Sequence, residues 1–281
     1  VFVDGIEKVI IDNLGVSTSF VKVEKEPLSP SVNLVHIIKT TQNQIDTLIF
    51  AYLKKSVKRK YKGKEIDVDV KIALPLQSNG STYEIISIQK NLPFIFLDFP
   101  LIGTENFYFP VIINFPLFEP TEPRDGVYLE EQGEESLANQ EIFKVSLDLI
   151  IGLTDFAVAN KWSNLYHLAK TDLPEERKGF SKTWFKANIQ KPIRTHLLKS
   201  EIVQTETSRI LLENALFPNA AESKIEKVWH LAKLLHKDKL PKLEHIHEWH
   251  KIIDSTWDKD LRYDLKKMVI EVASHNNIAN L

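Results

Sequence analysis

The sequence LDFPLIGTENFYFPVIINFPLFEPTEPRDG, residues 97–126, decides the fold that we expect for the first half of this 281-residue chain. Apolar and aromatic residues dominate it, and prolines interrupt it at short intervals. Runs of strand-forming residues that are bounded by proline and glycine predict strands, which we place at residues 94–97 and 107–118. The second strand leads into a proline-framed loop that carries a single arginine, Arg124.

The residues before this stretch predict further strands and one helix. From about Thr41, apolar residues recur at the three- and four-residue spacing that is typical of a helix face, and lysines follow where a helix dipole favours them. The residues that carry this spacing are Ile45, Leu48, Ile49, Tyr52 and Leu53. Strands are predicted at residues 5–13, 17–24, 66–74 and 83–89, with the turn sequence SNGS (residues 78–81) before the last of them.

The composition changes after about residue 130, where the acidic connector LEEQGEES (residues 129–136) precedes a mostly helical pattern. Ser136 is a candidate N-cap for the first helix, and Pro192 is expected to kink a later one. Helices are predicted from residue 136 to about 150 and at residues 162–169, 182–198, 206–216, 221–237, 246–256 and 261–276, with a short strand or extended arm at residues 200–205. We therefore expect an α+β chain with a mixed sheet domain at residues 1–132 and an all-helical domain at residues 133–281.

The segment 109–126 resembles a motif of the sacsin-like branch of the GHKL ATPases, which are relatives of the heat-shock-protein-90 chaperones. In that motif a strand of the form Leu-Pro-Phe-x-Ile-Asn-x-x-Phe runs into a loop that carries arginine and a small or acidic residue. Here the strand is FPVIINFPLF (residues 109–118) and the loop is TEPRDG (residues 121–126). The resemblance implies the transducer or middle domain that follows the ATP-binding domain, in a chaperone-like protein that couples nucleotide state to a client or partner.

The residues that would hold ATP in such proteins are missing from this chain. It has nine glycines, and they form neither an Asp-x-Gly-x-Gly turn, nor a Gly-x-Gly-x-x-Gly fingerprint, nor a Walker loop. We therefore expect no catalytic residue and no cofactor in this chain alone. The resemblance implies that ATP and Mg²⁺ bind to another domain of a longer parent ATPase, and that this domain is a partner of the chain.

The resemblance also assigns a role to Arg124, because the matching arginine of the relatives reaches the terminal phosphate of ATP. A guanidinium group suits this role since it forms bidentate, charge-assisted hydrogen bonds with phosphate. Arg124 is thus the candidate phosphate sensor, with Asn114 and Asp125 positioning its loop. The alternative is structural, with Arg124 paired to Glu119, Glu122 or Asp125 at the turn.

A run of basic residues at positions 54–64 supports a competing hypothesis, a nucleic-acid-binding module. Its cations could contact phosphates, and Tyr61 could stack on a base. The residues concerned are Lys54, Lys55, Lys58, Arg59, Lys60, Lys62 and Lys64. Two other interpretations remain open: a solvated helix end followed by a hairpin loop, and a contact with an acidic face of the ATP-binding domain.

The remaining features point to no further chemistry. The segment HIHEWH (residues 245–250) lacks the spacing of a zinc-protease motif, so we predict no metal site and expect Trp249 to be docked on a helix. All five tryptophans are expected to anchor helix packing. A chain with no cysteine and a net charge of −2, and with no long apolar run, is expected to be cytoplasmic and without a membrane contact. A plain protein-interaction scaffold remains the third possible function.

Overall fold

The computed structural model describes residues 2, 5–24, 27–42, 44–122 and 124–274. The chain divides into two compact units, Val1–Ile193 and Arg194–Leu281. Both strands and helices are present, which confirms an α+β chain. Within the described residues, no helix combines the length and the apolar character that crossing a membrane requires.

One mixed sheet organises the first unit, and its strands follow the order β1-β2-β3-β4-β5-β9-β7-β8, with β6 paired to β5. Neighbouring strands are antiparallel except β7 and β9, which are parallel. The strands are β1 (Lys8–Asn13), β2 (Val16–Glu24), β3 (Asn33–Thr41), β4 (Gln44–Tyr61), β5 (Lys64–Ser78), β6 (Tyr83–Ile85), β7 (Ile95–Leu97), β8 (Phe99–Pro100) and β9 (Ile112–Asn114). The strands predicted at residues 5–13, 17–24, 66–74 and 83–89 are confirmed, although β6 is shorter than expected.

The helix predicted from about Thr41 is wrong, because these residues form the long strand β4. Ile49, Ala51 and Leu53 are buried and share one face of the strand, whereas Leu48 lies on the opposite face and is 38% exposed. The apparent helical spacing therefore combined side chains from both faces. Pairing with β3 on one side and β5 on the other supplies backbone hydrogen bonds that local spacing cannot reveal.

The strand predicted at residues 107–118 is confirmed only at its centre, as β9. Proline cannot donate a ladder hydrogen bond, and Pro110 and Pro116 flank the three paired residues. The apolar side chains on both sides of β9 are nevertheless buried. Phe107, Phe109 and Phe118 all contact the ring of Phe143, with ring centroids 5.4–6.0 Å apart.

Helix α1 (Glu134–Ala159) packs on β4 and β5 and supplies Phe143 to this aromatic cluster. The domain boundary predicted after residue 132 thus falls inside the first unit, because a helix with one buried face must cover an apolar sheet face. Ser136 is not the N-cap, which is Gly133. Its Oγ instead accepts a hydrogen bond of 3.1 Å from the Glu130 amide.

The helical segment predicted at residues 182–198 is confirmed in three parts. It consists of α2 (Lys182–Phe185), a π-helical turn (Lys186–Gln190) and α3 (Lys191–Leu198), within which the boundary between the two units falls. The π-helical turn ends two residues before Pro192, which cannot donate an intrahelical hydrogen bond. The helix predicted at residues 162–169 is a short 3₁₀ turn, Leu165–Ala169.

The second unit is built around α4 (Ile225–His236), α5 (Ile246–Ile252) and α6 (Leu265–Ser274). It also contains two short strand pairs, so it is not made of helices alone. Strands β10 (Val203–Gln204) and β11 (Arg209–Ile210) are antiparallel, and β12 (Phe217–Pro218) and β13 (Arg262–Tyr263) are parallel. The strand or extended arm predicted at residues 200–205 is a strand only at residues 203–204. The helix predicted at 206–216 is wrong, because a turn at Thr205–Ser208 closes the first strand pair.

The tryptophans are packing residues, as predicted. Their exposed fractions are 1% for Trp162, 9% for Trp184, 2% for Trp229, 0% for Trp249 and 5% for Trp257.

Candidate functional site

The loop that carries Arg124 is closed by hydrogen bonds within itself. The Thr121 amide donates to the Gly126 carbonyl at 2.9 Å, and the Arg124 amide donates to the Thr121 carbonyl. The Thr121 hydroxyl donates to Asp125 Oδ1 at 2.8 Å. Asp125 therefore braces the turn, and its carboxylate is engaged with Thr121.

Arg124 itself adopts a left-handed backbone conformation, with φ of 74°. Residues with a Cβ atom rarely adopt this conformation, which costs about 1–3 kcal/mol and persists only where the surroundings impose it. Strain of this kind clusters at functional sites. Here the hydrogen bonds of Thr121 and the close approach of Gly103 impose this backbone conformation.

Two glycines allow neighbouring segments to approach this loop closely. A Cβ atom on Gly103 would lie 2.7 Å from the Asp125 carbonyl oxygen, and one on Gly179 would lie 2.9 Å from Thr121 Cγ2. Both glycines also have positive φ values, 106° and 84°. The backbone on each side of the loop is therefore in direct contact with it and leaves little room for the loop to move.

Asn139 of α1 bonds to the backbone on both sides of the Arg124 loop, at Glu119 and Tyr128. The sequence analysis did not identify Asn139 as a site residue. Its Oδ1 accepts from the Glu119 amide at 2.9 Å, and its Nδ2 donates to the carbonyls of Glu119 at 2.8 Å and Tyr128 at 2.9 Å. Asn139 is 1% exposed. In the sequence it is one of several polar residues in the first half of α1, such as Ser136 and Gln140, that prove to be buried.

Asn114 makes different contacts from those expected for a residue that positions the Arg124 loop. It is fully buried on β9, and its side chain bonds only to Asp98 within the described residues. The Asp98 amide donates to Asn114 Oδ1 at 2.7 Å, and Asn114 Nδ2 donates to Asp98 Oδ1 at 3.1 Å. Asn114 thus stabilises Asp98, whose φ is 61°, at the end of β7.

The Arg124 side chain is exposed. Within the described part of the chain it forms no ion pair, so the alternative pairing with Glu119, Glu122 or Asp125 is not observed. A guanidinium without an internal partner retains its full capacity to bind an external anion.

Arg124 lines a cleft of about 800 Å³ that also receives the end of β4 and the start of α1. The structure therefore brings together two segments that the sequence analysis treated as separate candidates, the Arg124 loop and part of the basic run. The charged residues of the cleft are Arg59, Lys60, Arg124, Glu119, Glu134 and Glu135. Because the cleft contains both positive and negative side chains, it suits one specific polar contact and is not a uniformly positive surface.

The basic run lies on the β4–β5 hairpin, and not at a helix end. Several of its cations are neutralised by acids on β5 and α1, at distances of 2.6–3.1 Å. The pairs are Lys54–Asp69, Lys55–Asp148, Lys58–Glu65 and Arg59–Glu141, and Arg59 also donates to the Ala138 carbonyl. Among the described residues, Lys60, Lys62 and Lys64 have no ion-pair partner. The positive charge available to a nucleic acid is thus smaller than the sequence suggests.

Two histidines of the second unit each contact a carboxylate. His236 Nε2 lies 2.8 Å from Glu271 Oε1, and His247 Nε2 lies 2.9 Å from Glu226 Oε1. No group of three potential metal ligands occurs in the ranges that the structure describes.

Comparisons with known proteins add no further constraint. No protein-family model matches the chain, and neither a curated protein nor a solved structure does.

Proposed function

We propose that this chain is the non-catalytic portion of a larger GHKL-type, chaperone-like ATPase, and that it couples nucleotide state to a client or partner. Its sheet unit corresponds in this proposal to the transducer or middle domain. Arg124 contacts the terminal phosphate of ATP that is bound in another domain of the parent protein. The observation that carries the proposal is the exposed Arg124 guanidinium, which has no ion pair among the described residues and stands on a rigid loop.

Rigidity matters because a preorganised cation loses less entropy on binding an anion than a mobile cation does, so its binding free energy is more favourable. An arginine on a flexible loop loses side-chain and backbone entropy when it binds. Here the left-handed conformation, the Thr121–Asp125 hydrogen bond and the close approach of Gly103 fix the backbone before any ligand arrives. Binding would then cost mainly the freedom of the Arg124 side chain.

Lys60 gives the cleft a second cation without an ion pair inside the described ranges. A lysine supplies a mobile point charge, whereas an arginine supplies a planar fork of donors. Together they offer two cations to a terminal phosphate, beside the three glutamates of the cleft, with Arg124 setting the geometry.

The test is ATP turnover by the full-length parent with Arg124→Ala, Arg124→Lys and Arg124→Asn. Asparagine tolerates the left-handed conformation better than most residues, so Arg124→Asn removes the guanidinium without adding strain to the loop. We expect all three to reduce turnover at least tenfold, about 1.4 kcal/mol of transition-state stabilisation. Arg124→Lys should reduce turnover because a lysine side chain cannot form the bidentate contact with phosphate.

Lys144→Ala is the matched control, because Lys144 is exposed on α1 and does not line the cleft. It should leave turnover unchanged. Normal turnover by folded Arg124→Asn would refute phosphate sensing. Unchanged turnover together with oligonucleotide binding that weakens steeply with salt would instead favour the nucleic-acid module.

A further inference from the structure

The outer edge of the sheet is an open strand with an unusual surface. β1 is the terminal strand of the sheet order, and all six of its residues are exposed. Val9, Ile10 and Ile11 are 44%, 54% and 53% exposed, and Leu14 in the following turn is 99% exposed. Natural edge strands are commonly protected by proline, bulges or repeated charges, and β1 has no proline and regular pairing with β2.

The pairing with β2 shows which backbone groups of β1 face outward. The Lys22 amide donates to the Glu7 carbonyl at 2.8 Å, which makes Glu7 and Lys22 a hydrogen-bonded pair. Hydrogen-bonded pairs alternate along an antiparallel ladder. The amide and carbonyl groups of Val9 and Ile11 therefore face β2, and those of Lys8, Ile10 and Asp12 face away from the sheet.

We propose that β1 pairs with β1 of a second copy of this chain, antiparallel and across a two-fold axis at Ile10. In this register Lys8 lies opposite Asp12 of the other copy, Ile10 lies opposite its equivalent, and Val9 lies opposite Ile11. The residues with outward backbone groups meet as hydrogen-bonded pairs, so the register satisfies the ladder without a bulge. The contact is isologous and closed, and it occupies the β1 edge of both copies.

Charge complementarity is the reason for choosing a second copy over another partner. Lys8 and Asp12 are exposed and lack ion pairs within the described residues. Inside one chain they lie opposite the uncharged Val21 and Ser17. Across the two-fold axis each finds an opposite charge, and the apolar residues between them pair with one another. Cross-strand pairs of both kinds stabilise antiparallel strands.

The interface is small, so the dimer should be weak and should depend on concentration. Sedimentation equilibrium from about 10 µM to about 1 mM should show reversible dimerisation of the wild-type chain. Lys8→Asp and Asp12→Lys, made singly, each place like charges together at both ends of the register. We expect each to weaken the dimer about tenfold, and the double variant Lys8→Asp/Asp12→Lys to restore it to within about threefold.

Two further variants separate the strand edge from general charge effects. Ile10→Pro removes an amide that faces outward, so it should abolish the dimer and leave the β1–β2 pairing intact. Lys144→Asp makes the same charge change as Lys8→Asp on the exposed face of α1 and should have no effect. A wild-type chain that stays monomeric at the highest concentration would overturn the proposal. The proposal would also be overturned if the single charge changes left the dimer dissociation constant unchanged, or if the double variant did not restore it.

Discussion

Replacing Asn139 with alanine gives the sharpest test of how the Arg124 loop is held. The side chain is 1% exposed and makes three hydrogen bonds of 2.8–2.9 Å to the two arms of the loop. The Glu119 carbonyl keeps a second donor, the Tyr128 amide at 3.2 Å. The Glu119 amide and the Tyr128 carbonyl would lose the partner that Asn139 supplies.

The expected cost follows from these contacts. Three net hydrogen bonds at about 0.5–1.5 kcal/mol each, with two backbone groups left unpaired, correspond to about 2–4 kcal/mol of unfolding free energy. For a unit of this size, 1 kcal/mol shifts the melting temperature by about 2–4 °C. We therefore expect Asn139→Ala to lower the melting temperature of the first unit by roughly 4–16 °C, measured by scanning calorimetry.

Asn188→Ala is the matched control, because Asn188 is half-buried in the same unit and makes one hydrogen bond of 2.9 Å, to the Trp184 carbonyl within its own helical segment. It should cost less than about 1 kcal/mol, since alanine is a better helix former. Equal melting temperatures for the two alanine variants would refute the reasoning, because they would show that Asn139 does not hold the loop.

Asn139→Asp adds a pH signature. The new carboxylate would be buried and would face the carbonyls of Glu119 and Tyr128, which raises its pKa in the folded state above its unfolded value near 4. The variant should be at least as unstable as Asn139→Ala at pH 7. The folded state then binds a proton more tightly than the unfolded state does. The difference in unfolding free energy between Asn139→Asp and Asn139→Ala should therefore become smaller as the pH falls toward 5.

Three other predictions concern different parts of the fold. Gly103→Ala should destabilise the first unit by at least about 1 kcal/mol in urea unfolding, because the new Cβ would collide with Asp125 and because φ is positive at this position. An unchanged urea concentration at the unfolding midpoint would show that the Arg124 loop moves to accommodate the methyl group. Burial and the hydrogen bond to Glu271 raise the pKa of Tyr263, so wild-type stability should fall with rising pH above about 10, where an unfolded tyrosine ionises but Tyr263 does not. Tyr263→Phe should show a shallower fall in alkaline denaturation, and an identical slope would contradict this. Leu14→Asn should stabilise the β1–β2 hairpin by about 0.5–1 kcal/mol in thermal unfolding, because Leu14 has φ of 48° and Asn-Gly suits that turn.

Turns, single helices and buried aromatic residues were predictable from the sequence where neighbouring residues alone determine them. The SNGS turn forms as expected, with the Asn79 amide bonded to the Thr82 carbonyl at 3.1 Å and Gly80 at a φ of 91°. The helix predicted at residues 221–237 contains α4, whose apolar residues recur at helical spacing. The burial of the tryptophans followed from their size, because a large apolar ring contributes most when it is removed from water.

The candidate site was only partly predictable, because its parts meet across long sequence separations. Arg124 could be named from the proline-framed loop, but Asn139 could not, since nothing local shows that a helical asparagine faces two loop carbonyls. The basic run was visible in the sequence, whereas its neutralisation by Asp69, Asp148 and other acids depends on strand register and helix packing.

The sequence by itself determined the α+β composition, the positions of several strands and helices, the SNGS turn and the buried aromatic anchors, because these depend on backbone propensity and on side-chain size over a few residues. Tertiary structure alone decided that residues 44–61 form a strand, that α1 belongs with the sheet, and that Lys60 shares a cleft with Arg124. Each of these depends on hydrogen bonds or apolar contacts between distant segments. Such contacts add free energy only after the chain has brought the segments together, so no local pattern records them.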